Sequence, residues 1–384
     1  MAPKESQIPT RSDYFRDQWR AWRILGALQL NARNYWSGAT VLNIVVALYS
    51  PALLLSMFSF DTPLENITNF SLSITSTATI LKFGLYVVHL GRLREMEKII
   101  TRLDNRVAGA AQQQCHRLMA KKLRKLSNVF LYTYGFVFLN SEFSFLFTRE
   151  RSLPFPSWFP FDWKNSTTNY IGALCFQLVS IFGQILQNFA DDSFPPVALC
   201  LCAEHCQLLI LRISSIGHES NEQDANDAEL VLCIKDQKDL YGLLQLTSAL
   251  ISWPMTIQFF VMALNIGATT FGLVFFAESM QDRMYFASYL LALVLQTYPI
   301  CFYGSLLEER FGELHYAVFC SNWVNQNRRY RTNMLILAER TKSYPRLLAG
   351  NLVPIHLSTF QASCKAAYSF FTLIGNTRDR AKSN

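Results

Sequence analysis

Apolar residues in this chain gather in seven long stretches, each near the roughly 20 residues a helix needs to cross the ~30 Å hydrocarbon layer with its backbone bonded internally. They cover approximately residues 37–58, 72–91, 128–148, 170–190, 246–276, 284–307 and 355–375. The second contains Lys82, the third Glu142 and the last Lys365, so hydropathy alone gives six or seven spans. Helical character outruns several of them. VALCLCAEHCQLLILR, residues 197–212, continues the fourth stretch past a kink or break expected at Pro195 and Pro196. The fifth begins near Lys238, and the sixth runs on from Ser305 to Val318. Residues 331–342 form a further short amphipathic helix, with Met334, Leu335, Leu337 and Ala338 opposed to Arg331, Arg340 and Lys342. These extensions predict a helical layer outside the bilayer, read as a subunit-association surface.

Composition agrees with a lipid solvent. Of 384 residues, 51% are hydrophobic and only 16% charged, well below the quarter usual in soluble domains. The net charge of +7 falls in blocks between apolar runs, which suits membrane-flanking loops and sets nucleic acid aside. Residues 92–127 carry ten Lys or Arg against Glu95, Glu97 and Asp104, which places that loop in the cytosol. Residues 59–71 have no basic residue and residues 149–169 only Arg149, Arg151 and Lys164, so those loops belong outside. The three N-x-S/T acceptors, Asn66, Asn69 and Asn165, all fall in the outer loops and are the candidate glycosylation sites. Residues 217–239 dissent, with seven acids and two lysines on the cytosolic side, but acids weigh little in the rule.

The predicted fold class is therefore all-α: a polytopic membrane protein with seven transmembrane helices, N-terminus cytosolic, C-terminus extracellular, and helices extended into a cytosolic anchor layer. Residues 1–36 form a cytosolic segment that lacks a signal peptide. In it Phe15, Trp19, Trp22 and Gly26 share one face, suiting either a helix in the inner interface or one packed on the cytosolic part. Residues 37–300 hold six spans with an outer-half pocket, and residues 301–384 an anchor helix and the final span. Cys200, Cys202 and Cys206 near His205 read as small buried hydrophobes, and no metal or cofactor is expected. No GxSxG, HExxH or phosphate loop points to an enzyme, and no internal repeat to a transporter. Because a charge inside the bilayer is costly, Lys82 and Glu142 are expected either to pair across the second and third spans or to leave Lys82 snorkelling or meeting water.

Several segments resemble the insect odorant receptors. They are LPFPSWFPFDW (Leu153 to Trp163), CFYGSLLEE (Cys301 to Glu309), AVFCSNWVNQNRRYR (Ala317 to Arg331), LILAERTK (Leu335 to Lys342) and LSTFQASCKAAYSFFTLIGN (Leu357 to Asn376). The likeness is dense from Cys301 onward and thinner before it, with a departure at Gly375. It implies the odour-tuning subunit of a heterotetrameric, non-selective cation channel. The partners would be a small volatile odorant, a shared olfactory co-receptor and membrane lipids, and the site the plasma membrane of sensory dendrites. A gustatory receptor would share this mechanism. A G-protein-coupled receptor has the opposite topology, and no DRY or NPxxY pattern is present.

The resemblance places the odorant pocket among the second, third, fourth and sixth spans. Candidates are Thr75, Ala78, Thr79 and Lys82; Phe138, Ser141, Glu142 and Phe145; Cys175, Phe176, Val179 and Ser180; and Phe286 and Tyr289. Each set recurs at helical spacing and can present one face. Aromatic walls with a few hydroxyls suit a small, mostly apolar ligand. In the last span Phe371, Thr372, Ile374 and Gly375 are the candidate pore-lining positions, where a ring of apolar side chains can close a pore by excluding water. Lys365 and Tyr368 are read as structural anchors deeper in that helix.

Overall fold

The computed structural model describes residues 14–27, 38–57, 63–143, 153–155, 157–218, 222–277 and 280–383. Apart from one two-stranded hairpin, the regular structure there is helical: α1 (Arg16–Ile24), α2 (Gly38–Ser56), α3 (Pro63–Asp104), α4 (Ala110–Phe143), α5 (Thr167–Ser215), α6 (Gln223–Phe275), α7 (Met280–Cys320), α8 (Arg328–Thr341), β1 (Leu348–Ala349), β2 (Val353–Pro354) and α9 (Leu357–Ser383). At 1.5 Å per residue, the 42 residues of α3, 49 of α5 and 53 of α6 give rods of roughly 60–80 Å, twice the bilayer core. The expected extensions are therefore real and longer than the apolar pattern showed.

Five described helical segments are long and apolar enough to cross a membrane, lying in α2, α3, α5, α6 and α7. α4 and α9, which carry the third and last apolar stretches, are helical as well, and their described residues hold no such segment.

α5 is the axis. Every residue from Phe189 to Ala203 is buried, so the helix is enclosed on all sides there. Pro195 and Pro196 lie inside this stretch, yet the helix runs unbroken through them. Pro195 has no N–H to bond the Asp191 carbonyl four residues back. The Tyr86 hydroxyl donates to that carbonyl instead, at 3.4 Å, so the freed acceptor is satisfied from α3. Close approach elsewhere depends on glycine. A Cβ at Gly183 would collide with Val46 of α2, and one at Gly304 of α7 would strike the Ile355 carbonyl in the linker before α9.

α1 packs into the bundle. Phe15, Gln18, Ala21, Trp22 and Leu25 are buried, while Arg16, Arg20 and Arg23 are exposed. Trp22 sits against Tyr86 and Phe194 with ring centroids 5.6 and 5.3 Å apart.

Beyond Pro195–Pro196, α5, α6, α7 and α8 form the anticipated helical layer. Arg212 bridges Glu229 at 2.7 Å and also binds Asp236, which binds Arg106 in turn. Cys200, Cys202 and Cys206 are buried apolar fillers, as expected.

Candidate functional site

Two polar layers cross the apolar interior, and three helices build both. In the outer layer, Thr75 of α3 accepts a hydrogen bond from the Asn265 amide of α6 at 2.9 Å and bonds the Tyr289 hydroxyl of α7. In the inner layer, Lys82 of α3 donates to Gln258 of α6 at 2.8 Å and to Asp192 of α5 at 2.6 Å, and Gln296 of α7 donates to Asp192 as well. From Thr75 to Lys82, from Asn265 to Gln258 and from Tyr289 to Gln296 the step is seven residues each time. That is two helical turns, about 10 Å along parallel or antiparallel axes. Between the layers Thr79 donates to Asn188 of α5 at 2.9 Å.

The inner layer is a closed polar hub. Lys82 Nζ lies 2.6 Å from Asp192 Oδ1, with both side chains almost fully buried. Tyr134 of α4 donates to Asp192 Oδ2 at 2.5 Å, and Gln296 donates to the same oxygen. Next to it, the Trp22 indole donates to Asp191 Oδ1 at 3.4 Å, and the Gln18 amide donates to Ser193 Oγ at 2.9 Å and Ser127 Oγ at 3.3 Å. Six helices, α1 and α3 to α7, thus meet on the Asp191-Asp192-Ser193 step that precedes the prolines.

Lys82 was expected either to pair with Glu142 or to snorkel or meet water; its ammonium is bound by Asp192 and Gln258, and the Glu142 side chain lies outside the described residues. Low dielectric forces such a charge onto whatever acceptor the packing provides. The fourth apolar stretch stops at residue 190, which left the two aspartates unassigned. The seven-residue spacing of lone polar residues in three spans, Asn265 and Gln258 included, was the signal that would have found them.

The structure gathers only part of the expected pocket set. Thr75 and Tyr289 bond each other between α3 and α7, and Ala78, Thr79 and Phe286 are buried, Thr79 donating to Asn188 of α5. Phe176 and Ser180 turn toward α2: Phe176 meets the Tyr49 ring at 6.3 Å, and Ser180 Oγ approaches the Val45 carbonyl at 3.5 Å. Cys175 and Val179 are exposed. Phe138 pairs with Phe182 at 5.7 Å, beside α1. The reason is rotation: α5 meets α2 with the face that sequence spacing assigned to the pocket. Ser141 and Phe145 fall outside the described side chains, as do Phe371, Ile374, Gly375 and Asn66; Thr372 donates to the Ser369 carbonyl. Asn69 is buried in α3 and donates to Leu53 O and Ser56 Oγ, so in the folded chain it is closed to a glycan. Asn165 is exposed, just before α5.

One atom in the outer layer is unspent. Asn265 Oδ1 is buried and has no hydrogen-bond partner among the described residues, while the nitrogen of the same amide donates to Thr75.

The comparisons with known proteins agree along the whole chain. The 7tm Odorant receptor family profile matches residues 62–368. Odorant receptor 23a of Drosophila melanogaster is 52% identical over 364 residues, covering 95% of this chain and 96% of that protein. Odorant receptor 59a of the same species is 38% identical, covering 94% and 96%. Among solved structures, the insect olfactory receptor OR5 from Machilis hrabei superposes with a TM-score of 0.75 at 13% identity, covering 94% of this chain and 99% of that one. The same receptor in complex with eugenol gives 0.74 at 16% identity, covering 95% and 100%. The profile match and these end-to-end relatives decide between the odorant and gustatory readings: this membrane-spanning chain belongs to the 7tm odorant receptor family.

Proposed function

We infer that the chain binds a small volatile odorant at the outer polar layer and thereby gates a non-selective cation channel that it forms with a shared olfactory co-receptor. The observation that carries the pocket is the free, buried acceptor of Asn265 beside Thr75 and Tyr289. A compact, mostly apolar molecule with one hydroxyl donor would bury its carbon skeleton against Phe286 and its neighbours and donate to Asn265 Oδ1. The solved complex of the similar Machilis receptor with eugenol supports a ligand of this size class. Ser141 stands seven residues outward from Tyr134 on α4 and is included in the pocket on that spacing.

In this reading all seven long helices, α2 to α7 and α9, cross the bilayer, with the N-terminus cytosolic and the C-terminus extracellular. Phe371, Thr372, Ile374 and Gly375 of α9 line the pore. None of the described side chains of α9 is buried, Tyr368 being 70% exposed, which supports a wall completed by neighbouring subunits. Gating is a population shift: ligand stabilises the open state by its difference in affinity for the two states. The hub below the pocket ties α3, α4, α6 and α7 to α5, so a rearrangement at Thr75 reaches the inner helical layer over about 10 Å.

Whole-cell current from cells expressing the chain with and without the co-receptor, against a panel of volatiles, tests this. Currents are expected only with both subunits. Asn265→Ala should raise the half-effective concentration of hydroxyl-bearing agonists by about tenfold, the value of one buried hydrogen bond, and leave non-donors less affected. Unchanged dose dependence in Asn265→Ala and Tyr289→Phe would sink the pocket, and a response that needs a G protein would sink the channel.

A further inference from the structure

A second cavity, distinct from the polar layers, opens on the outside of the bundle between α1, α4 and α5. It encloses about 340 Å³, within the range of small-ligand sites, and is walled by Leu131, Gly135, Phe138, Phe182, Leu186 and Phe189. It lies at the inner ends of the apolar stretches of α4 and α5, where lipid is the solvent. Asp17 and Arg20 of α1 stand at one edge. The Asp17 carboxylate accepts the Ser127 hydroxyl at 3.1 Å, whereas Arg20 is exposed.

The chemistry changes along one face of α4. Positions 117, 121, 124, 131, 135 and 138 follow helical spacing and share a face. The first three are Arg117, Lys121 and Arg124, all exposed; the last three are Leu131, Gly135 and Phe138 in the cavity wall. α1 adds the exposed Arg20 at the cavity edge, with Arg16 and Arg23 exposed along the same helix. The surface is thus cationic toward one end and apolar along the rest. Only an amphiphile with an anionic head and a hydrocarbon tail matches both halves.

We propose that this groove is a binding site for one anionic glycerophospholipid, its acyl chain lying between α4 and α5 and its phosphate-bearing head held by Arg20 and Arg124. Gly135 is part of the fit: a Cβ there would meet nothing within 4 Å, so the missing side chain leaves space that the acyl chain fills. The lipid clamps the exposed side of α1, whose buried side carries Gln18 and Trp22 into the Asp191–Ser193 hub. The proposal rests on the membrane-spanning reading of α4 and α5, and is independent of the odorant and the channel partner.

The test is native mass spectrometry of the purified full chain in detergent, offered equal amounts of phosphatidylserine and phosphatidylcholine with identical acyl chains. The full chain is expected to retain phosphatidylserine preferentially, by roughly fivefold or more per engaged arginine. Arg20→Gln with Arg124→Gln should abolish that preference while some lipid of both kinds is kept. Gly135→Leu should lower retention of both lipids severalfold, with Gly135→Ala close to the parent. A photoactivatable acyl chain on phosphatidylserine, used with the unsubstituted chain, should label peptides containing Leu131–Phe138 and Phe182–Phe189. Equal retention of the two lipids by the parent chain, undiminished retention in Gly135→Leu, or labelling confined to other helices would overturn the proposal. No odorant or co-receptor enters these measurements, so their failure leaves the receptor reading standing.

Discussion

Asp191 and Asp192 are adjacent, equally buried and oppositely provided for. Asp192 receives Lys82, Tyr134 and Gln296, whereas Asp191 receives a single long bond from the Trp22 indole, and its Oδ2 has no hydrogen-bond partner among the described residues. Of the two adjacent carboxylates, the ammonium therefore binds only Asp192. Removing the served carboxylate leaves Lys82 buried and unpaired, so Asp192→Asn should cost about 3–5 kcal/mol of stability. Asp191→Asn keeps an acceptor for Trp22 and deletes the unserved charge, so its melting temperature should equal or exceed that of the parent. Thermal melting of the two purified variants checks the pair, and equal losses would show that the hub does not discriminate between them. Lys82→Met should also cost about 3–5 kcal/mol, and the Lys82→Met/Asp192→Asn double variant should recover part of it. That recovery measures the coupling that the sequence assigned to Glu142 instead. Additive losses in the double variant would dismiss the ion pair.

Elements were legible in proportion to how much of their pattern is local. The described parts of all seven apolar stretches fall mainly in helices, and α8 was visible from its own amphipathic period, because a helix buries a stripe that repeats every 3.6 residues. The course of α5 through Pro195 and Pro196 was not legible, since the group that takes over the freed carbonyl, Tyr86, is more than a hundred residues away in sequence. Tyr86→Phe should accordingly cost about 1–3 kcal/mol, the penalty of an unsatisfied buried acceptor, and a melting temperature equal to the parent's would refute the substitute bond. The facing of α5 was equally hidden: which side of Phe176 and Ser180 meets α2 depends on Gly183, not on spacing. Past the spanning part of α5, His205 sits fully enclosed near Asp104 and His116, and burial pushes its imidazole down to about 4. A base whose folded pKa lies below its unfolded value takes up protons on unfolding. Its contribution to stability is full above the unfolded value near 6.5 and fades as pH falls toward 4. Melting temperature should drop between pH 7 and pH 4.5, and His205→Gln should flatten that drop; an unaltered slope would place the sensitivity elsewhere.

At the scale of the molecule, the question is which exposed apolar surface meets lipid and which meets protein. Leu48, Val88, Phe136 and Phe260 lie within the apolar stretches and are exposed, as lipid-facing residues are in a membrane protein. Another group lies outside those stretches, where no lipid tail can cover it. Tyr316 and Phe319 at the end of α7, Val324 after it, and Leu335 and Ile336 on α8 are all exposed. His315 ties the two helices by bonding the Ala338 carbonyl at 3.0 Å and Thr341 at 3.1 Å, so these side chains belong to one rigid unit. Large exposed aromatics and aliphatics in water mark an interface. From their place in the long helical layer we propose it as the surface on which subunits associate, with the co-receptor as occupant. Leu335→Asp with Ile336→Asp puts two charges on that surface without touching the buried face of α8, Tyr330, Met334, Leu337 and Ala338. Stability of the isolated chain should change by no more than about 0.5 kcal/mol, as for surface substitutions generally. Capture of the chain by a tagged co-receptor from solubilised membranes should fall at least about tenfold, because a desolvated unpaired charge at an interface centre costs several kcal/mol. Odorant-evoked current should fall with it. Undiminished capture would move the association surface away from α8, while lost capture with a lowered melting temperature would mean that the fold, rather than the interface, had been damaged.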